Sequence, residues 1–154
     1  MSDRINIHGT GLTIGPFGLL LRGPSGSGKS MLALELMHDA QLRGEPAKLV
    51  ADDRLELTVE NEQLFMHAPA TIGGLIELRG RGIVTRPHVE KAEVHLVVDT
   101  NAELVRLIEE DELQTELEGI TLARCPVPSR DRAEITQQKL LVLEALRALE
   151  ADAA

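Results

Sequence analysis

The sequence contains no tryptophan, no tyrosine and only two phenylalanines among its 154 residues. That scarcity of rings argues against a surface on which exposed bases stack. Positive charge is also in short supply, because 16 Lys and Arg face 25 Asp and Glu and leave a net charge of −9. Such a balance opposes a nucleic-acid partner unless basic residues cluster, and no segment clusters them. The lone cysteine, Cys125, allows neither an intramolecular disulfide nor a two-cysteine zinc pair. It reads as a small buried apolar residue. His38, His67, His88 and His95 show no metal-ligand spacing. No stretch approaches the ~20 apolar residues that span a bilayer, and residues 1–8 lack the apolar run of a signal peptide. We therefore expect a soluble, cytoplasmic protein with no nucleic-acid and no membrane partner.

What the chain does have is aliphatic bulk. Hydrophobic residues make up 43%, led by Leu, Val, Ile and Ala, which suits an interior of helices and buried strands. A single domain over residues 1–154 is expected, and no repeat, low-complexity tract or linker divides it. Residues 5–7 and 12–14 are short apolar stretches broken by Gly9 and Gly11, and 17–21 is a continuous apolar run. All three read as strands. The last lacks polar alternation and so belongs in the middle of a parallel sheet, buried on both faces. Residues 30–43 carry Leu32, Leu34, Leu36 and Met37 and stop at Gly44 with Pro46 beyond, which predicts an amphipathic helix with its cap and breaker. A strand over 48–51 follows, then a hairpin from 55–59 and 64–66 turning at Glu60-Asn61-Glu62. Residues 71–82 read as a short ordered piece leading into a mobile glycine-rich loop. Strands are expected over 94–98 and 120–124, a short helix over 102–110 with the acid run Glu109–Glu112 as its solvated end, and an amphipathic closing helix over 133–150.

The run Gly23-Pro24-Ser25-Gly26-Ser27-Gly28-Lys29-Ser30 matches G-x-x-x-x-G-K-[ST] at every fixed position and lies between an apolar strand and a helix. Glycines let the backbone curl until successive N–H groups point at one anion, and the helix that follows turns its positive dipole end to the same place. In that setting Lys29 bridges the β- and γ-phosphates of a nucleoside triphosphate, and the Ser30 hydroxyl ligates Mg²⁺. The adjacent acids Asp52 and Asp53 stand at the end of the strand over 48–51, where open α/β sheets place their ligands. One carboxylate there holds magnesium and the other accepts a proton from a hydroxyl nucleophile. Spacing does not say which does which.

Four elements now stand in one order: Ile7-His8-Gly9, the loop Gly23–Ser30, Leu49-Val50-Ala51-Asp52-Asp53-Arg54, and Leu75-Ile76-Glu77-Leu78-Arg79-Gly80-Arg81-Gly82-Ile83. The set resembles the HPr kinase/phosphorylases, whose signature E-[IL]-R-G-x-G-[IL] is similar to the last of them. The likeness covers residues 5–84 well and thins beyond. It implies an α/β P-loop kinase fold related to phosphoenolpyruvate carboxykinase, a mixed sheet flanked by helices. It also implies an ATP- and Mg²⁺-dependent protein-serine kinase that modifies the phosphocarrier protein HPr of a phosphotransferase system. Some members of that family run the reverse phosphorolysis, in which phosphate attacks phosphoserine. Carried over by position, His8 is a catalytic histidine beside the acid, Asp52 or Asp53 is the base, Glu77 is a second magnesium carboxylate, and Arg79 lies in a loop that closes over the nucleotide.

The resemblance further implies a homo-oligomer, a hexamer. Family members commonly carry a preceding domain, so a catalytic domain alone, as in short alphaproteobacterial forms, is the expectation here. The stretch Cys125–Arg130 shares only proline and arginine with a late P-x-x-P-G-R-N motif associated with phosphorolysis, which makes the reverse reaction less firmly implied. Two rivals remain at this level: a small-molecule kinase, which would need an arginine-rich lid, and an ATP-sensing switch without turnover.

Overall fold

The computed structural model describes residues 3–69 and 73–153. In chain order its elements begin with β1 (Ile5–His8), β2 (Thr10–Ile14), β3 (Phe17–Arg22), α1 (Lys29–Leu42) and β4 (Ala47–Ala51). A hairpin of β5 (Arg54–Glu60) and β6 (Gln63–His67) follows, then a second of β7 (Leu75–Leu78) and β8 (Gly82–Thr85). The chain ends with β9 (Lys91–Glu93), β10 (Leu96–Ala102), a short 3-10 turn over Glu110–Leu113, β11 (Gln114–Leu117), β12 (Ile120–Pro128) and α2 (Ile135–Ala153).

The main sheet has the order β11-β12-β10-β3-β2-β4. β3 pairs with β10 in parallel and with β2 antiparallel, so the expected central strand lies in a mixed sheet. Because β2 opposes both β3 and β4, and β12 runs with β10, the strands β3, β4, β10 and β12 all point the same way. Their carboxyl ends share one edge, and the site is built there.

Alternation along those strands divides the core in two. Leu19 and Leu21 of β3, Leu49 of β4 and Leu96 and Val98 of β10 join α1 and α2 in one cluster. Leu20, Val50 and Val97 point the other way, into a second cluster with Leu55, Leu57, Leu64 and Met66 of the sheet β1-β5-β6-β9. The result is helices, six-stranded sheet and four-stranded sheet in layers. Leu19, Leu20 and Leu21 are each 0% exposed, and each contributes about 2 kcal/mol of transfer free energy. The strand feeding the glycine loop is thus anchored on both faces.

Several expectations shift in the structure. α1 was read as amphipathic, yet Leu32, Ala33, Leu34, Leu36, Met37 and Ala40 are all buried, a wide arc of its surface. The sheet, α2 and β7 each cover part of it. The strand expected over 94–98 begins at Leu96: Val94 and His95 link β9 of the small sheet to β10 of the large one, and His95 exchanges hydrogen bonds with Gly18 at 2.8 and 2.9 Å. No helix forms over 102–110. β10 runs on to Ala102, where it pairs with Pro128, and Leu104, Val105, Leu107 and Ile108 are exposed, so a helix there would bury no face. β11 escaped the sequence reading, although Glu118-Gly119 with positive φ values of 52° and 81° makes the two-residue turn that sends it into β12. The glycine-rich stretch ending at Gly82 is a hairpin turn, closed by Arg81 N–H to Leu78 O at 2.9 Å; Thr71, where that reading starts, lies outside the described residues.

Three charged side chains tie the central strands together. Asp99 of β10 accepts from Arg22 of β3 at 2.8 and 3.0 Å and from Arg124 of β12 at 2.6 Å. Burial works against ionisation of Asp99, but the two guanidiniums outweigh it and hold the carboxyl below its ordinary value of 3.8. A carboxylate depressed in the folded state contributes stability above the unfolded value and loses it as pH falls through the folded one. Asp99→Asn should therefore cost about 2 kcal/mol near neutral pH. In urea unfolding, the gap to the parent protein should shrink as the pH drops below 3.8.

Candidate active site

β3 delivers its chain into the curl at Gly23, where φ is 146°, and Gly26 and Gly28 continue it at 83° and 104°. Those backbone angles are open to glycine and strained for other residues. α1 begins directly at Lys29 with no side-chain cap and no acid in its first turn, which leaves its N-terminal amides and dipole to an outside anion. The Lys29 ammonium, mostly buried, donates to Gly23 O at 2.8 Å and Pro24 O at 3.1 Å. Burial lowers its pKa from the ordinary lysine value, with Asp53 and then Asp52 pulling partly the other way. A desolvated cation beside a curl of amides is a binding place for polyphosphate.

The acids come from the end of β4. Asp52 is half-buried, and its Oδ1 accepts from Ser30 Oγ at 2.7 Å and from Thr10 Oγ1 at 2.9 Å. Asp53 turns the other way. It is a non-glycine residue in the left-handed region, φ 73°, and its exposed carboxylate meets His8 Nε2 at 2.6 Å. His8 reaches it because β1 runs antiparallel to β5, with His8 opposite Arg54, while Gly9 N–H bonds Asp53 O at 3.0 Å. Gly9 makes the crossing between the two sheets; a Cβ there would stand 2.9 Å from Leu21 O. The two carboxylates that the sequence left interchangeable thus occupy different environments.

A cleft of about 530 Å³ joins these groups and is lined by Lys29, Ser30, Asp52, Asp53, Glu77 and Arg79, with Thr10 and Arg130 completing its wall. Glu77 and Arg79 are exposed on the second hairpin, and among the described residues neither makes a side-chain hydrogen bond or ion pair. Every predicted catalytic residue except His8 lines this cleft, and His8 joins it through Asp53. Thr10, Thr100 and Arg130 escaped the sequence reading. Arg130 follows the end of β12, and its N–H donates to Ser27 O at 3.1 Å. The only hint of it in the sequence was the loosely matched proline-arginine stretch. Cys125 plays no part here: burial pushes its thiol up to about 12, Arg124 opposing weakly, and Sγ donates to Leu141 O at 3.5 Å.

Magnesium takes hard oxygen ligands and keeps several waters. Ser30 Oγ and Asp52 already touch, and Glu77 shares their cleft, so the donor set fits that ion. Among the described residues no three His, Cys, Asp or Glu side chains form a ready cation cage, so phosphate oxygens and water would supply the rest of its shell.

Comparison with known proteins places this site in a lineage. The family model for the HPr serine kinase C-terminal domain matches residues 1–137. The HPr kinase/phosphorylase of Lactiplantibacillus plantarum is 40% identical over 85 residues, 54% of this chain and 25% of that protein. That of Streptococcus pneumoniae is 32% identical over 149 residues, 88% of this chain and 46% of that protein. The chain therefore spans less than half the length of these curated relatives. The solved structure of the Hpr(Ser) kinase/phosphatase from Coxiella burnetii superposes with a TM-score of 0.74 at 27% identity, covering 97% of this chain and 98% of that one. With the phosphate loop, the paired aspartates and the histidine gathered at one sheet edge, this chain belongs to the HPr serine kinase C-terminal domain family.

Proposed function

We propose that the chain transfers the γ-phosphoryl group of ATP to a serine hydroxyl of the phosphocarrier protein HPr, with magnesium, as part of a phosphotransferase system. The observation that carries this reading is the different surroundings of the two carboxylates, Asp52 against Ser30 and Thr10 and Asp53 against His8. Asp52, bonded to Ser30 at the helix start, faces the phosphate side and would hold the metal with Ser30, Glu77 serving as a further carboxylate. Magnesium held there would supply charge neutralisation to the triphosphate. Asp53, exposed and supported by His8, faces incoming alcohol and accepts its proton as the serine oxygen bonds to phosphorus and ADP leaves. Lys29 holds the phosphates in line, and Arg79 supplies positive charge from the hairpin turn.

Run backward, the same carboxyl group donates a proton to the serine oxygen while phosphate takes the phosphoryl group, which gives phosphorolysis and pyrophosphate. The reading carries with it action as a single kinase unit, a cytoplasmic location and a homo-oligomer, a hexamer by family resemblance. Incubation with γ-labelled MgATP and HPr, beside HPr lacking its acceptor serine, tests it. Label on serine of intact HPr alone is expected. Label on small acceptors, or nucleotide binding without any transfer, would overturn it.

A further inference from the structure

Thr100, near the carboxyl end of β10, is 0% exposed, and both hydrogen bonds of its hydroxyl go to the phosphate loop and the residue before it. Oγ1 donates to Arg22 O at 2.8 Å and meets Ser27 Oγ at 2.6 Å. A hydroxyl carries one hydrogen and a carbonyl none, so the Thr100 hydrogen goes to Arg22 and the hydrogen of the second bond comes from Ser27. The relay Ser27 to Thr100 to Arg22 O therefore spans the curl from its far side to the residue before it opens. Gly23 lies inside this ring: a Cβ there would fall on Thr100 Oγ1 and come within 3.0 Å of Ser27 Oγ. Ser27 is buried, and its one hydroxyl hydrogen is committed, so it has none to offer a phosphate oxygen.

Other contacts of the loop differ in what nucleotide would do to them, and the Ser30 Oγ bond to Asp52 at 2.7 Å belongs to the metal side. Lys29 holds the Gly23 and Pro24 carbonyls, and these bonds must be given up when the ammonium turns to phosphate. Ser27 N–H to Pro24 O, at 3.1 Å, is local to the curl. Among the described residues, the hydrogen bonds from outside the loop and α1 that involve neither Lys29 nor the Ser30–Asp52 pair are those of the Thr100 hydroxyl and the backbone bond from Arg130. We propose that Thr100 is a positioning residue that preorganises the phosphate loop for a nucleoside triphosphate, acting through the Ser27 hydroxyl and the Arg22 carbonyl. This rests on the reading of Gly23–Ser30 as a triphosphate site.

The test compares the parent protein with Thr100→Val, Thr100→Ser, Ser27→Ala and the Ser27→Ala/Thr100→Val double variant, by MgATP calorimetry and steady-state transfer. Loss of the two hydrogen bonds of the Thr100 hydroxyl should weaken MgATP binding in Thr100→Val about tenfold and raise KM for MgATP more than it lowers kcat. Thr100→Ser, which restores the hydroxyl, should return within about twofold of the parent. Ser27→Ala, which leaves the Thr100–Arg22 bond in place, should weaken binding by no more than Thr100→Val does, and the double variant should be no weaker than Thr100→Val, because both substitutions break one relay. Parental affinity in Thr100→Val, losses that multiply in the double variant, or a Thr100→Ser protein as weak as Thr100→Val would each overturn the proposal. Should Thr100→Val fail to fold, Ser27→Ala weakened and Thr100→Ser unchanged still support it, and the opposite pattern sinks it. A parent protein that binds no MgATP defeats the triphosphate site itself, a separate outcome.

Discussion

Lys29→Ala is expected to remove measurable MgATP binding at millimolar nucleotide and to lower phosphoryl transfer by about 10³-fold. Lys29 as a residue is 7% exposed and its ammonium is partly stripped of water, so its attraction to a phosphate oxygen acts through a medium less screening than bulk solvent. At about 4 Å and an effective dielectric near 20, one such pair is worth about 4 kcal/mol, which is about 10³ in affinity or rate. Folding should not suffer, because the variant deletes a largely buried charge whose hydrogen-bond partners among the described residues are two loop carbonyls. Equal thermal midpoints with lost calorimetric heat would confirm this; affinity retained within tenfold would refute the role of the loop.

The second large effect belongs to Asp53. Asp53→Asn keeps the shape of the side chain and suits the left-handed backbone at φ 73°, where asparagine is among the tolerated residues. It removes the carboxylate that we propose as the proton acceptor, which His8 Nε2 meets at 2.6 Å. Single-turnover transfer to HPr should drop by about 10²–10⁴-fold while MgATP affinity stays near that of the parent. Asp52→Asn should behave differently, weakening the magnesium dependence of nucleotide binding, because Asp52 is bonded to Ser30 rather than facing the acceptor. If Asp52→Asn loses transfer with affinity intact while Asp53→Asn loses affinity, the two roles are reversed.

This division of roles bears on the reverse reaction as well. A group that takes the serine proton in one direction must return it in the other, so Asp53→Asn should depress phosphorolysis alongside phosphorylation. Arg130 stands where the late proline-arginine stretch brings it, against the phosphate loop and lining the cleft. That stretch, weak as a pattern, supplies a wall of the site.

The chain sequence alone determined the phosphate loop, because its chemistry is local: glycines that permit positive φ, a lysine and a serine lie within eight consecutive residues, and the apolar run before them can only be a buried strand. The β5–β6 hairpin and α2 were legible for the same reason, since turn chemistry and helical spacing are short-range signals. Tertiary structure alone decided which aspartate meets which partner. That depends on β1 crossing from one sheet to the other at Gly9 so that His8 and Thr10 approach the end of β4 from opposite sides. It alone decided, too, that Thr100 meets Ser27 across 73 residues of sequence, because the parallel pairing of β3 with β10 brings the two together. Sequence periodicity says that a strand is buried, but pairing between strands is set by the packing of whole faces, and no single segment carries that information.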